Sequence, residues 1–118
     1  MPVRGIRGAT AVDHDTPDAV VSATRELLEA IVAANKLKTD DIASIIFTVT
    51  PDLKSEYPAR AARALGWTHT ALLGATEMDV PGGLPRCIRV LLHVNTRQAP
   101  KAIKHIYLHA AGALRPDR

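Results

Sequence analysis

At 118 residues and 12.7 kDa the chain holds enough material for one compact domain and excludes two catalytic ones. With 47% of residues apolar and 23% charged, it has the composition of an ordinary globular protein, not of a disordered tail or a membrane protein. Fifteen basic residues against twelve acidic ones leave a net charge of +3, too small an excess to identify a nucleic-acid binder, but arginine outnumbers lysine ten to five. Guanidinium forks grip planar carboxylates and phosphates bidentately, so a small anionic ligand competes with nucleic acid from the outset.

Val3 to Val12 has strand character, interrupted by Gly5 and Gly8, where a bulge or a close backbone approach is expected. Arg4 and Arg7 fall on opposite faces if that strand is regular. A helix starts at Thr16-Pro17-Asp18, because Thr caps, Pro is preset for the first helical position and Asp complements the positive helix end. Val20, Thr24, Leu27, Leu28 and Ile31 form its buried stripe, and the polar run from Asn35 to Asp41 ends it. Ile42 to Thr50 reads as a strand rich in β-branched residues, stopped by Pro51-Asp52. A short helix runs from Tyr57-Pro58 to a Gly66 cap, and Thr68 to Ala75 reads as another strand. Pro81-Gly82-Gly83-Leu84-Pro85 is a loop. Cys87 to Asn95 alternates as a strand, Pro100 to Lys104 is too short for a long helix, and His105 to His109 returns to a strand. The expected fold is α+β, a mixed sheet carrying helices in the order β-α-β-α-β-β-β, with one right-handed βαβ crossover at the start.

The four aromatics, Phe47, Tyr57, Trp67 and Tyr107, leave the core to Ala, Val, Leu and Ile. A chain of this size buries about 60–70% of its unfolded surface, which leaves little to wall off a private pocket, so an enclosed site gains from a neighbouring subunit. The lone Cys87 forms no intrachain disulfide, and a cytoplasmic address is expected. No run reaches the roughly 18 apolar residues of a membrane helix, and Met1 to Gly8 does not read as a signal, so no membrane association is expected.

Phosphate loops, dinucleotide fingerprints and Cys-x-x-Cys pairs are missing from the sequence. His105 and His109 sit about 13 Å apart on a strand at roughly 3.3 Å per residue, which removes them as a metal pair. Cys87 has no histidine partner by spacing and reads as a small core residue. Arg60 and Arg63 share a helix face and either converge on one anion or are solvated. Arg89 lies among aliphatics in Cys87-Ile88-Arg89-Val90-Leu91-Leu92, and a guanidinium half-buried there needs a partner or a ligand. Glu77 is a candidate partner.

Taken together, Arg4-Gly5-Ile6-Arg7-Gly8-Ala9-Thr10, Thr50-Pro51-Asp52-Leu53, Tyr57 to Arg63, Glu77 to Val90, His105-Ile106-Tyr107-Leu108 and Leu114-Arg115-Pro116-Asp117 resemble the AroH-type chorismate mutases. The blocks occur in that family's order over nearly the whole chain. The resemblance implies a homotrimeric pseudo-α/β barrel with active sites between subunits, acting without cofactor or metal on chorismate. It implies that Arg89 donates to the breaking ether bond and reaches a substrate carboxylate, that Arg7 and Tyr107 bind carboxylates, and that Glu77 accepts from the ring hydroxyl. Arg63 borders the site. Tyr57 stands where phenylalanine is frequent, Arg60 where lysine is, and Gly74 where a small polar residue often contacts the ring hydroxyl. Arg115 belongs to the C-terminal tail that closes over the family's site. Two alternatives remain: a trimeric imine deaminase of the RidA-like kind, and a basic nucleic-acid module. Scattered arginines and few aromatics for base stacking weigh against the second.

Overall fold

The computed structural model describes residues 1–114. Strand β1 (Val3–Ala11) leads to helix α1 (Pro17–Asn35), then β2 (Ile42–Val49), α2 (Ala59–Ala64), β3 (Ala71–Thr76), β4 (Cys87–Asn95) and β5 (Ile106–Tyr107). Three short 3-10 segments, Thr39–Asp41, Pro100–Ala102 and His109–Leu114, complete the described residues. The α+β class with a mixed sheet is as expected. The strands form one sheet in the order β3-β2-β4-β1-β5. β4 runs antiparallel to both its neighbours, whereas β2/β3 and β1/β5 are parallel. The crossover through α1 therefore joins parallel strands that are not adjacent, with β4 between them.

Helix α1 forms where its local chemistry directs. The Ala19 N–H donates to Thr16 Oγ1 at 3.2 Å, Pro17 opens the helix, and Lys36 closes it in the left-handed conformation at φ 52°. Val20, Thr24, Leu27, Leu28 and Ile31 are buried as the spacing predicts. The core lies between this helix and one face of the sheet, where Ile6, Ile45, Phe47, Val90, Leu92 and Val94 meet Leu27, Leu28 and Ile31. Asn35, 2% exposed, ties the end of α1 to the segment before β5: its Nδ2 donates to Lys104 O at 2.9 Å and its Oδ1 accepts from Lys104 N–H at 2.8 Å.

At Gly8, β1 and α1 approach too closely for a side chain. A Cβ there would lie 2.7 Å from Ile31 Cδ1 and 3.2 Å from both Leu27 Cδ1 and the Ile106 carbonyl. No bulge accompanies it, because the β1/β4 register runs unbroken from Val3↔Asn95 to Ala11↔Cys87.

Two expected strands differ. Thr68–Thr70 form a turn, with the Thr68 N–H bonded back to Gly66 O at 2.9 Å, and pairing with β2 begins only at Ser44↔Ala71. The segment from His105 to His109 pairs with β1 only through Ile106 and Tyr107 before turning into a 3-10 helix with His109 at φ 53°. The second helix is the short one expected, Ala59–Ala64 after Pro58, closed by Gly66 at φ 84° with its N–H donating to Arg63 O at 3.0 Å.

Candidate active site

Helices α1 and α2 pack on one face of the sheet, and side chains alternating to the other face share a surface that the last 3-10 segment covers around Ala9 and Cys87. The register assigns them. Arg7 pairs with Leu91, Ala9 with Arg89, Thr48 with Arg89, Ile46 with Leu91, and Tyr107 with Ala9. Cross-strand partners point to the same side, so Arg7, Ala9, Ile46, Thr48, Arg89, Leu91 and Tyr107 form one patch. A cleft of about 290 Å³ is lined by Arg7, Thr48, Glu77, Arg89, Leu91 and Tyr107 among others. Five segments, distant in sequence, thus meet in one hollow.

Glu77 follows β3 and turns into this cleft, its backbone N–H held by Val49 O at 2.8 Å. Its Oε1 lies 4.0 Å from Arg89 Nε, and its Oε2 accepts a 2.6 Å hydrogen bond from Thr48 Oγ1. The Arg89 side chain is 45% exposed, half-buried as its strand position suggests, while its neighbours Ile88 and Val90 alternate to the helix-covered face and are buried. Arg7 is positioned through its backbone, whose N–H donates to His105 Nδ1 at 3.0 Å. Tyr107 is fixed by the β1/β5 pairing and by the Leu108 N–H bond to Ala9 O at 2.9 Å.

The start of β4, two residues before Arg89, is clamped by the turn after β2. Thr50 Oγ1 accepts the Cys87 N–H at 2.9 Å and donates to Asp52 Oδ1 at 2.5 Å. Both Asp52 oxygens receive the Arg86 N–H, at 3.1 and 2.9 Å, and Arg86 Nε donates to Val12 O at 2.9 Å. This grip holds Arg86 at φ 48°, a conformation unusual for a residue with a side chain. The Thr50 hydroxyl, followed by the Arg86 amide, keeps the Asp52 carboxyl below its ordinary pKa. Cys87 is packed against Ala9 and Ala111, and burial raises its thiol pKa despite nearby Arg89. It is the small core residue that its sequence context suggests.

The other expected site residues lie elsewhere on the chain. Tyr57 and Gly74 line a separate hollow of about 440 Å³ with Glu56 and Pro58. Arg60 and Arg63 do not converge on one anion: Arg60 Nη1 is bound by Glu56 Oε2 at 2.6 Å, while Arg63 lines a separate groove with Trp67 and Leu72. Arg115 lies outside the described residues. Thr48, Ile46 and Leu91, which line the cleft, are not among the residues expected from sequence. Period-two alternation along Ile42–Val49 carries the signal for the first two, since it places Ile46 and Thr48 opposite the core residues Ile45 and Phe47. Among the described residues no group of three or more His, Cys, Asp or Glu is placed to hold a metal, and no helix is long and apolar enough to cross a membrane.

A mixed α+β sheet here gathers two arginines, a glutamate and a tyrosine in one cleft, an arrangement with the chemistry to grip a small carboxylated molecule. Residues 3–118 match the model of the family described as chorismate mutase type I, and the chain belongs to that family. It is 51% identical over 116 residues to chorismate mutase AroH of Thermus thermophilus, covering 98% of this chain and 95% of that one. It is 43% identical over 118 residues to chorismate mutase AroH of Bacillus subtilis, with 99% and 93% coverage. Among solved structures, a chorismate mutase from Clostridium thermocellum superposes with a TM-score of 0.91 at 53% identity, covering 92% of this chain and 97% of that one. These likenesses support the mutase reading and not the deaminase alternative.

Proposed function

We propose that this chain is a chorismate mutase, an isomerase converting chorismate to prephenate on the way to phenylalanine and tyrosine. The observation that carries the reading is the convergence of Arg7, Glu77, Arg89 and Tyr107 in one cleft on the sheet face opposite α1. The reaction is an intramolecular rearrangement that breaks a carbon–oxygen bond as a carbon–carbon bond forms, and needs no nucleophile or obligatory proton transfer. Negative charge grows on the ether oxygen and positive charge on the ring. Arg89 donates to the former, and Glu77 accepts from the ring hydroxyl and favours the latter. Arg7 and Tyr107 hold carboxylates, so the bound molecule keeps its compact, reactive shape. A 10⁶-fold acceleration requires about 8 kcal/mol, and one fixed donor at a developing oxyanion supplies about 3–4 kcal/mol, so several groups share the stabilisation.

The active unit is a cytoplasmic homotrimer with sites between subunits. Three observations support that assembly. The 290 Å³ cleft falls at the lower edge of the roughly 300–1,000 Å³ usual for ligand sites, so one chain supplies part of a wall. Tyr57, Arg60, Arg63 and Gly74 lie outside it and are available to a neighbour's cleft. Leu73 on β3 is 63% exposed, and Met78 just beyond it 79%, apolar surface suited to a subunit contact.

The test incubates purified protein with chorismate and follows its disappearance together with prephenate formation, beside Arg89→Ala and Glu77→Ala, while light scattering gives the mass. Conversion by a particle of three chains, slowed by at least about 10²-fold in both variants but still measurable, is the expected result. No conversion by well-folded wild-type protein would overturn the assignment.

A further inference from the structure

Glu77 is held twice by β2, through its backbone at Val49 and through its carboxylate at Thr48. The second contact does more than anchor a side chain. Thr48 stands directly across the sheet from Arg89, so one residue of β2 touches the carboxylate while facing the strand position of the guanidinium. At 2.6 Å the hydroxyl bond to Oε2 has the length of a charge-assisted O–H···O⁻ interaction. It turns Oε1 toward Arg89 yet leaves Oε1 and Nε 4.0 Å apart, well beyond hydrogen-bonding distance.

A carboxylate and a guanidinium this close are drawn toward a direct bidentate pair. The chain after Glu77 offers little resistance to such a swing, because Met78, Asp79 and Val80 are exposed. Threonine is suited to oppose it: β-branching restricts χ1 on a strand, so the hydroxyl presents a stiff donor at a fixed point. We propose that Thr48 is a positioning residue that holds the Glu77 carboxylate back from Arg89, keeping the carboxylate free for the ring hydroxyl and the guanidinium free for the ether oxygen. The inference rests on the reaction proposed above. Without the hydroxyl, Glu77 closes on Arg89 and each neutralises the other. Both groups act on charge that develops during the rearrangement, so the loss falls on kcat more than on KM.

The experiment compares full-length Thr48→Val, Thr48→Ser and Glu77→Ala, and the double variant Thr48→Val/Glu77→Ala, with wild type by steady-state turnover of chorismate. Thermal melts report folding, and Thr48→Ala serves as a second variant without the hydroxyl. Thr48→Val and Thr48→Ala are expected to lower kcat by about 10- to 100-fold, the rate equivalent of one hydrogen bond to a charged group, with KM within about 3-fold. Thr48→Ser restores kcat to within about 3-fold of wild type, and removing the hydroxyl in the Glu77→Ala background costs no more than about 2-fold further. Wild-type kcat in folded Thr48→Val and Thr48→Ala, failure of Thr48→Ser to restore it, or an undiminished loss in the Glu77→Ala background each overturns the positioning role. Those results leave the proposed reaction standing, whereas wild-type protein inert toward chorismate removes the reaction itself.

Discussion

Arg89→Lys isolates what the fork geometry of the guanidinium contributes. Arginine presents five N–H groups, of which the one on Nε faces Glu77 and four remain for a ligand. Lysine retains the charge but concentrates it on one nitrogen. At 4.0 Å, a unit charge and the Glu77 carboxylate attract by roughly 1 kcal/mol in water and 4 kcal/mol in a partly screened cleft. An ammonium group therefore settles toward Glu77 and is withdrawn from the ether oxygen. Removing one fixed donor from a developing oxyanion costs about 2.7–4 kcal/mol, or 10²–10³ in kcat, and because some charge stabilisation survives in lysine the expected loss is about 10²-fold. The side chain is 45% exposed, so the melting temperature should hardly change. Steady-state turnover, with kcat and KM resolved separately, decides the matter. A folded Arg89→Lys protein with kcat within about 5-fold of wild type would mean that charge alone suffices, and would refute the assigned role of the fork.

Three further outcomes follow from the packing and the clamp. Gly8→Ala forces a methyl to 2.7 Å from Ile31 Cδ1 and 3.2 Å from the Ile106 carbonyl; a loss of about 1–3 kcal/mol in denaturant unfolding is expected, and unchanged stability would show that β5 shifts freely. Thr10 is fully buried and its hydroxyl has no hydrogen-bond partner among the described residues, so Thr10→Val should gain about 1 kcal/mol; a lower melting temperature would reveal a partner for that oxygen. Asp52 has its pKa lowered by the Thr50 hydroxyl and then by the Arg86 amide, so the stability it lends is fully present above the ordinary aspartate value of about 3.9 and is lost as pH falls through its lower folded value. Melting wild type and Asp52→Ala from pH 7 to pH 3 should show a gap that narrows only below about pH 4, and a gap constant across that range would exclude the clamp as a charge-dependent device.

What the sequence discloses depends on how local the cause is. Thr16-Pro17-Asp18 and the stripe from Val20 to Ile31 specify α1 within a few turns, and cap, start and buried face all match. The start of β3 is set by its partner instead: Thr68–Thr70 have the composition of a strand, but the ladder opens only at Ser44↔Ala71. Nothing in a strand's own residues says that β4 inserts between β1 and β2, which is why a crossover can be inferred and its spacing cannot. For the candidate site, the matched blocks pointed to Arg7, Glu77, Arg89 and Tyr107, and the structure brings these four together. Tyr57, Arg60, Arg63 and Gly74 lie away from them, because the sheet edge that α2 and β3 occupy is set by the strand order, which no local pattern in the sequence carries. Thr48 is not legible from residue type, because its significance lies in its register with Arg89 and its bond to Glu77.

The pairing of β1 with β5 also sets when the site can exist. The Arg7 amide and the His105 ring that holds it are separated by 98 residues, and the strands between them complete the sheet first along the chain. During synthesis β1 leaves the ribosome early and waits with one edge unpaired until almost every other element has emerged. Contacts of such long sequence separation are slow to form because loop closure precedes any reward. The cleft is thus assembled last, and a chain shortened before Tyr107 is expected to retain α1 and its packing while leaving an adhesive strand edge open to other nascent chains.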